Sequence, residues 1–246
     1  MMQLPFDWSE ITRSNLYSMF YSLNSEIVGK ELSPSQIQKR IVKHLKRHLP
    51  IKIKKCVYNP TTPGYIFMGG VYYSDKDAKS VPAIEVNFNY NPTDKKLKLT
   101  QYRWKRMAIR FSDVLMHEII HMRQFRARNF KSLPGYQSTA LLTKERKEQE
   151  YYGDRDEMGA FAFNTACELV DRFGYDPNVI GRYLDSDECS RHKNSNWYAY
   201  LKAFDWNHNH PIIRRMRNLI MRQLENAYYG KPFKTCLLYT SPSPRD

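Results

Sequence analysis

The sequence predicts an α+β domain: a small, mostly antiparallel sheet flanked by helices, with a central helix that carries His117-Glu118-Ile119-Ile120-His121. Three observations lead there. Apolar residues recur at helical spacing as far as Leu49, the pattern switches to alternation at Ile51, and helical spacing returns around His117 and continues toward the C-terminus.

The elements follow in order. Trp8 to Leu23 places Ile11, Leu16, Met19, Phe20 and Leu23 at helical spacing. Ser33 then suits an N-cap and Pro34 a first helical position, because the cap oxygen can accept from a free amide and proline lacks the amide that would go unbonded. Ile37, Ile41, Leu45 and Leu49 form the buried face of this second helix, its lysines face solvent, and Pro50 ends it. Ile51 to Tyr58, Tyr65 to Tyr73 and Ala83 to Tyr90 read as strands, the last alternating through Ile84, Val86 and Phe88. Turn signals at Asn59-Pro60, Pro63-Gly64, Ser74-Asp75 and Asn91-Pro92 separate them, and Leu97 to Thr100 adds a short strand. Helices are expected around the His117 motif to about Asn129, from about Asp154 to Phe173, and from Ile212 to Tyr228 after His210-Pro211.

Residues 1–235 read as one domain. The last eleven residues, Cys236 to Asp246, look like an in-frame translation of a transposase-type sequencing adaptor and are set aside from fold reasoning. Aromatics at 14%, with 18 Tyr and 12 Phe, argue for a packed interior rather than a disordered chain. No apolar run approaches the ~20 residues of a membrane span, and the start has no basic region before an apolar stretch, so a cytosolic protein with no membrane partner is expected. Cys56, Cys167 and Cys189 form no CxxC pair, which leaves neither a disulfide framework nor a cysteine zinc site; Cys167 should be buried and inert. The formal charge of +14 can attract nucleic acid over long range, with basic clusters at Lys39 to Arg47, Arg103 to Arg110, Arg123 to Lys131 and Arg214 to Arg222. No nucleic-acid-binding signature accompanies them, and solvated helix faces account for most of the charge. Trp197, Tyr198, Tyr200, Phe204 and Trp206 read as a packed aromatic cluster.

His117 and His121 are four residues apart, so on a helix both imidazoles reach one ion. Glu118 stands beside them, placed to act on water without being a ligand. No helix breaker interrupts Phe111 to Phe125. A catalytic zinc takes three protein ligands and keeps one open position. The extended pattern with Gly and His at the third and sixth positions after the second histidine is excluded, because Gln124 and Ala127 stand there. No further histidine occurs before His192, so a carboxylate is expected as third ligand. Glu157 is the best candidate, with Asp154, Asp156 and Glu168 as alternatives. A competing role for Glu157 is as the capping-box partner of Asp154, and one carboxylate cannot do both.

HExxH followed by the Asp156-Glu157-Met-Gly-Ala-Phe-Ala162 helix start, of the form DExxAxA, resembles the gluzincin-type zinc metallopeptidases, most closely those encoded by tailed phages. Those proteins also tend to carry a late His-Pro before a basic helix, as His210-Pro211 does here. The resemblance spans roughly Phe111 to Leu224. It implies a zincin-like fold, one zinc ion held by His117, His121 and Glu157, Glu118 as catalytic base, and hydrolysis of a protein or peptide substrate in a host cytosol or a virion. Thermolysin-like members carry an Asp four residues after the third ligand; Phe161 stands there, so support for the metal-binding histidines must come from elsewhere, with Asn164 the first guess. Tyr151, Tyr152, His208 and His210 are candidates to stabilise the oxyanion, His210 first, although the His-Pro helix start suits His210 equally to a capping or packing role. By analogy with zincins, Ala83 to Tyr90 is the candidate edge strand for a substrate, and it reads equally well as plain core sheet. The alternative function is a catalytically silent protein of the same fold, a phage structural or nucleic-acid-associated protein working through its basic surface.

Overall fold

Local capping chemistry sets where the helices begin. The computed structural model describes residues 6–57, 63–131 and 144–231. The strand end at Tyr58, the Asn59-Pro60 turn and the adaptor-like tail from Cys236 lie outside the described residues. Helix α1 (Arg13–Tyr21) starts later than the apolar spacing suggests, because Thr12 and Asn15 form a capping box there. After α2 (Asn24–Ile27) and β1 (Glu31–Leu32), Ser33 and Gln36 form a second capping box for α3 (Pro34–Leu45), which buries Ile37, Ile41 and Leu45 as expected. Strands β2 (Lys52–Val57), β3 (Ile66–Tyr72) and β4 (Ile84–Tyr90) follow, with α4 (Ser74–Asp77) between the last two and β5 (Leu97–Lys98) after them.

Thr100 caps α5 (Gln101–Ala127), a helix of 27 residues and about 40 Å. Helix α6 (Lys144–Gly153) leads into α7 (Arg155–Phe173), then α8 (Pro177–Leu184), a 3-10 turn (Asp187–Arg191), α9 (Asn196–Ala203) and α10 (Pro211–Tyr228). Helices α6, α8 and α9 were not anticipated; α8 and α9 are eight residues each, too short for periodicity to declare them, and α6 is almost wholly polar.

The α+β reading holds, but the main sheet is mixed rather than mostly antiparallel. Its order is β2-β4-β3, with β2 parallel and β3 antiparallel to β4, while β1 and β5 form a separate antiparallel pair. This overturns Ala83 to Tyr90 as the edge: β4 is the central strand, buried through Ile84, Val86 and Phe88. The edge beside α5 is β3.

Two apolar clusters fill the interior. One joins α1, α3 and α5 to the sheet through Leu16, Phe20, Ile41, Val86, Trp104 and Phe111. The other joins α8, α9 and α10 through Ile180, Trp197, Tyr200, Met216 and Ile220, and contains the expected aromatic cluster. Helix α7 feeds both, giving Ala160, Phe163 and Cys167 to the first and Met158, Ala162, Ala166 and Leu169 to the second. Among the described residues, no helix is long and apolar enough to cross a membrane.

Candidate metal centre

Helix α5 is held on several sides, by β3, α1 and α7, and its middle turns are fully enclosed. His117 and His121 therefore project from the packed middle of the helix, and their rings meet edge to face at 4.7 Å between centroids. The carboxylate that faces them comes from α7. Asp154 caps that helix, its Oδ1 accepting from the amides of Asp156 and Glu157 at 2.8 and 3.1 Å. The Asp154 amide, from which a capping-box partner would accept, donates instead to the Glu150 and Tyr151 carbonyls at 2.9 and 3.2 Å, so the Glu157 side chain has no capping-box role and turns to α5. Its Oε2 is 3.3 Å from His117 Nε2 and its Oε1 3.6 Å from His121 Nε2.

These distances suit a metal. Three ligand atoms bound tetrahedrally at about 2.0–2.1 Å stand about 3.3 Å from one another. One donor atom from each of His117, His121 and Glu157 lies within 4.8 Å of the others, close enough for a small side-chain adjustment to complete the set. A pair of imidazoles with one carboxylate is also a ligand set that zinc favours.

The other candidate carboxylates are engaged elsewhere. Asp154 is the cap, Asp156 is held in a two-bonded pair by Arg128 at 2.7 Å for each bond, and Glu168 accepts from the Asn196 amide and pairs with Arg172.

Support for His121 comes from Gln124, which sequence reasoning passed over. Gln124 Nε2 lies 3.1 Å from the Asp156 carbonyl, which can only accept, so the amide nitrogen must face it. Gln124 Oε1 then faces His121 Nδ1 at 3.1 Å and accepts its proton in a hydrogen bond, so in the neutral ring the proton sits on Nδ1 and Nε2, the nitrogen nearest Glu157, is the one free to bind an ion. That is the tautomer a metal ligand needs. Gln124 can reach across only because Gly159 stands opposite it on α7: a Cβ there would lie 2.7 Å from Gln124 Nε2. The available signal was a glutamine one helical turn after His121, on the face that buries Ile120 and His121. Asn164, the earlier guess, instead donates to the Asp113 carbonyl at 3.3 Å. His117 is supported differently, by the ring of Phe161 edge-on at 4.7 Å.

Glu118 lies against the sheet edge. The bond from the Tyr73 amide to the Ala83 carbonyl sets the phase of the β3–β4 ladder, so the amides of Gly70 and Tyr72 point away from β4. The Tyr72 amide donates to the Glu118 carboxylate. Gly70 makes room for this approach: a Cβ there would lie 2.6 Å from Glu118 Cγ and 2.9 Å from Val114 Cγ1. Burial pushes the Glu118 carboxyl up to about 7; neighbouring His121 and the Tyr72 amide oppose the rise, and Glu157 adds to it.

The two histidines differ in protonation. Burial lowers the pKa of His117 in spite of Glu157, whereas for His121 the penalty of burial is outweighed by Glu157, and its pKa is raised. For Glu157, burial is likewise outweighed by its bonds to both histidines, and its pKa falls well below the ordinary carboxylate range. Tyr151 is exposed as a whole, but desolvation of its hydroxyl and the neighbouring Glu157 charge raise the phenol pKa and keep it protonated.

The oxyanion candidates sort accordingly. Tyr151 stands at the cluster, and Tyr152 packs behind it against Phe161 with ring centroids 5.8 Å apart. His210 does not join them. It caps α10, with Nδ1 accepting from the Ile212 amide at 3.2 Å and its ring 4.5 Å from that of Phe204, so its first place among the candidates is withdrawn. His208 contacts Asp187 at 3.0 Å. Cys167 is buried, and burial raises its thiol pKa, consistent with an inert packing role. Compared with known proteins, the chain matches no family model, no curated protein and no solved structure.

Proposed function

We propose that this protein is a zinc-dependent metallopeptidase of zincin-like fold, with His117, His121 and Glu157 as metal ligands and Glu118 as general base. One observation carries the reading: the Glu157 carboxylate faces both imidazoles of the HExxH helix, while Glu118 lies beside this set and outside it. A purely structural site has no use for a buried carboxylate in that position.

A bound zinc ion would supply a Lewis acid and lower the pKa of water to about 7. The chain's own groups do the rest. Glu118 accepts the proton of the attacking water and returns it to the leaving amine. The Tyr72 amide fixes the direction of the Glu118 carboxylate, and a carboxyl near neutrality is suited to taking and giving back a proton. Tyr151 holds a phenolic proton beside the ligand set and can donate it in a hydrogen bond to the developing oxyanion. The free thiols Cys56, Cys167 and Cys189 suit action in a reducing cytosol.

The test is Glu118→Gln. Purified protein should hold about one zinc, and the variant should keep it while peptide hydrolysis falls by on the order of 10²–10⁴-fold, the general-base contribution. Hydrolysis that survives the substitution, or purified protein that takes up no zinc, would refute the mechanism. Zinc uptake with no hydrolysis of any protein or peptide would favour the catalytically silent alternative.

A further inference from the structure

Beyond Tyr151 and Tyr152, helices α6 and α9 face each other across a hollow of about 440 Å³. Its charged lining is Lys147 from α6, Lys202 from α9 and Lys193 from the segment before α9, against a single acid, Glu148. The three lysines are exposed, and among the described residues none of them is in an ion pair. Like charges around one hollow repel when they lie within a Debye length, about 8–10 Å, and an anion placed among them relieves that repulsion. The phenols of Tyr152 and Tyr198 also line the hollow and can donate to such a group.

The hollow shares a wall with the metal centre. Tyr151 lines it and also interacts with Glu157. Tyr152 lines it and packs on Phe161, which in turn packs on His117. A chain crossing the centre would therefore bring a neighbouring side chain to this mouth.

We propose that the hollow is the specificity pocket of the site and takes an acidic side chain, so that the preferred substrates are acidic peptides; this rests on the peptidase reading. A hollow of about 440 Å³ beside the ligand set has room for one side chain and suits one or two carboxylates better than a run of phosphates. Nucleic acid, which tracks along extended basic grooves, is the competing occupant.

The experiment uses the zinc-loaded full chain carrying Glu118→Gln, so that bound peptide is not consumed. Fluorescence anisotropy compares a short labelled peptide containing a Glu-Glu pair with its Gln-Gln isostere. Several exposed charge pairs together should favour the acidic peptide by about tenfold. The combined reversal Lys147→Glu, Lys193→Glu and Lys202→Glu should abolish that ratio, and Lys202→Gln alone should lower it about two- to threefold. An equal reversal far away on α3 and its C-cap, Lys39→Glu, Lys43→Glu and Lys46→Glu, should leave the ratio unchanged.

Equal binding of the two peptides overturns the proposal. So does a ratio lost equally in the α3 reversal, which would assign it to the net charge. So does a short single-stranded oligonucleotide that alone depends on the three pocket lysines. Cleavage assays on the chain with Glu118 intact separate the two readings. Cutting without acidic preference keeps the peptidase and sinks the pocket; lysine-dependent acidic binding without cutting keeps the pocket and sinks the peptidase.

Discussion

The two apolar clusters build their contributions to the metal centre in opposite ways. The sheet-bearing cluster supplies His117, Glu118 and His121 from the middle of α5, where helical geometry alone fixes their spacing. The helical cluster borders the first turn of α7, which supplies Glu157, a position set by the Asp154 cap and by how α7 lies on α5. Aromatic stacking differs as well: Phe20 lies between Trp104 and Phe111 at 4.7 and 4.5 Å in the first, whereas the second buries Trp197 and Tyr200 whose polar atoms have no bond among the described residues. Mid-helix residues come with their geometry built in. A residue at a helix start must have its geometry held, and polar ties do so here: Gln124 to the Asp156 carbonyl, Arg128 to Asp156, and Arg13 to both Asp113 on α5 and Asp171 on α7.

The largest test of this contrast is Glu157→Ala, which removes the ligand proposed from the α7 side. Zinc affinity should fall by more than the 10–100-fold typical of losing an outer support. The protein should also lose its zinc-dependent stabilisation, about 2.7 kcal/mol at a free ion concentration 100 times the Kd. Chelator competition and thermal melts with and without zinc measure both. An affinity within a few-fold of the parent would mean that α5 holds the metal without α7.

Next in size is Gln124→Leu, which deletes a tie between the halves while keeping side-chain volume. His121 loses the acceptor that fixes its tautomer, and zinc affinity should fall about 10–100-fold. Phe161→Leu, which alters only the apolar support of His117, should cost less than threefold. Similar losses in the two variants would remove the distinction between an amide-held and a packing-held histidine.

The same contrast explains what was legible in the sequence. The spacing of His117 and His121 is a helical property, so five residues were enough to read it. Glu157 could be placed at the start of a helix next to a cap, but whether it capped or ligated depended on where α7 lay, which local pattern does not encode. Gln124 was missed because its partner, Asp156, is 32 residues away and the bond goes to a backbone carbonyl. The strands from Ile51 to Tyr90 emerged within about a residue of their expected ends, since alternation marks a strand directly. Which of them is central does not follow from alternation, so β4 read equally well as an edge or as core sheet, and only the structure decides for core. His210-Pro211 was a true helix start; its histidine is used up as the cap of that start.

A smaller effect is expected at the Arg13 tie. Arg13→Met leaves Asp113 without its partner, a loss that reaches about 3–5 kcal/mol for fully buried pairs. Each side chain here keeps about a fifth of its surface exposed, 18% and 21%, so about 2 kcal/mol is expected in urea unfolding. Burial already raises the Asp113 pKa with Arg13 present. Without Arg13 it should rise further, so the destabilisation should be full at neutral pH and fade as acid protonates the carboxyl. A loss that does not depend on pH would assign the effect to the packing of the Arg13 stem.

The finest distinction separates the two histidines by pH. Zinc needs both imidazoles neutral, so protons compete with it, and affinity falls about tenfold per pH unit for each proton displaced. The His121 pKa is raised above 6.5 and that of His117 is lowered below it, while Glu157, held well below the carboxylate range, stays ionised throughout. On acidification one proton should therefore compete first, beginning above pH 6.5, and a second only at lower pH. In the ion-free protein the sign is opposite: the His121–Glu157 pair stabilises the fold below pH 6.5, and this is lost as pH rises through the raised pKa. Zinc-dependent stabilisation should consequently grow with pH for two reasons, the retreat of competing protons and the weakening of the ion-free reference. Chelator competition between pH 5 and 8 reads the steps, and Glu157→Ala should bring the first step down toward the second. A single two-proton step in the parent protein would show that the two histidines are equivalent, and that α7 does not distinguish them.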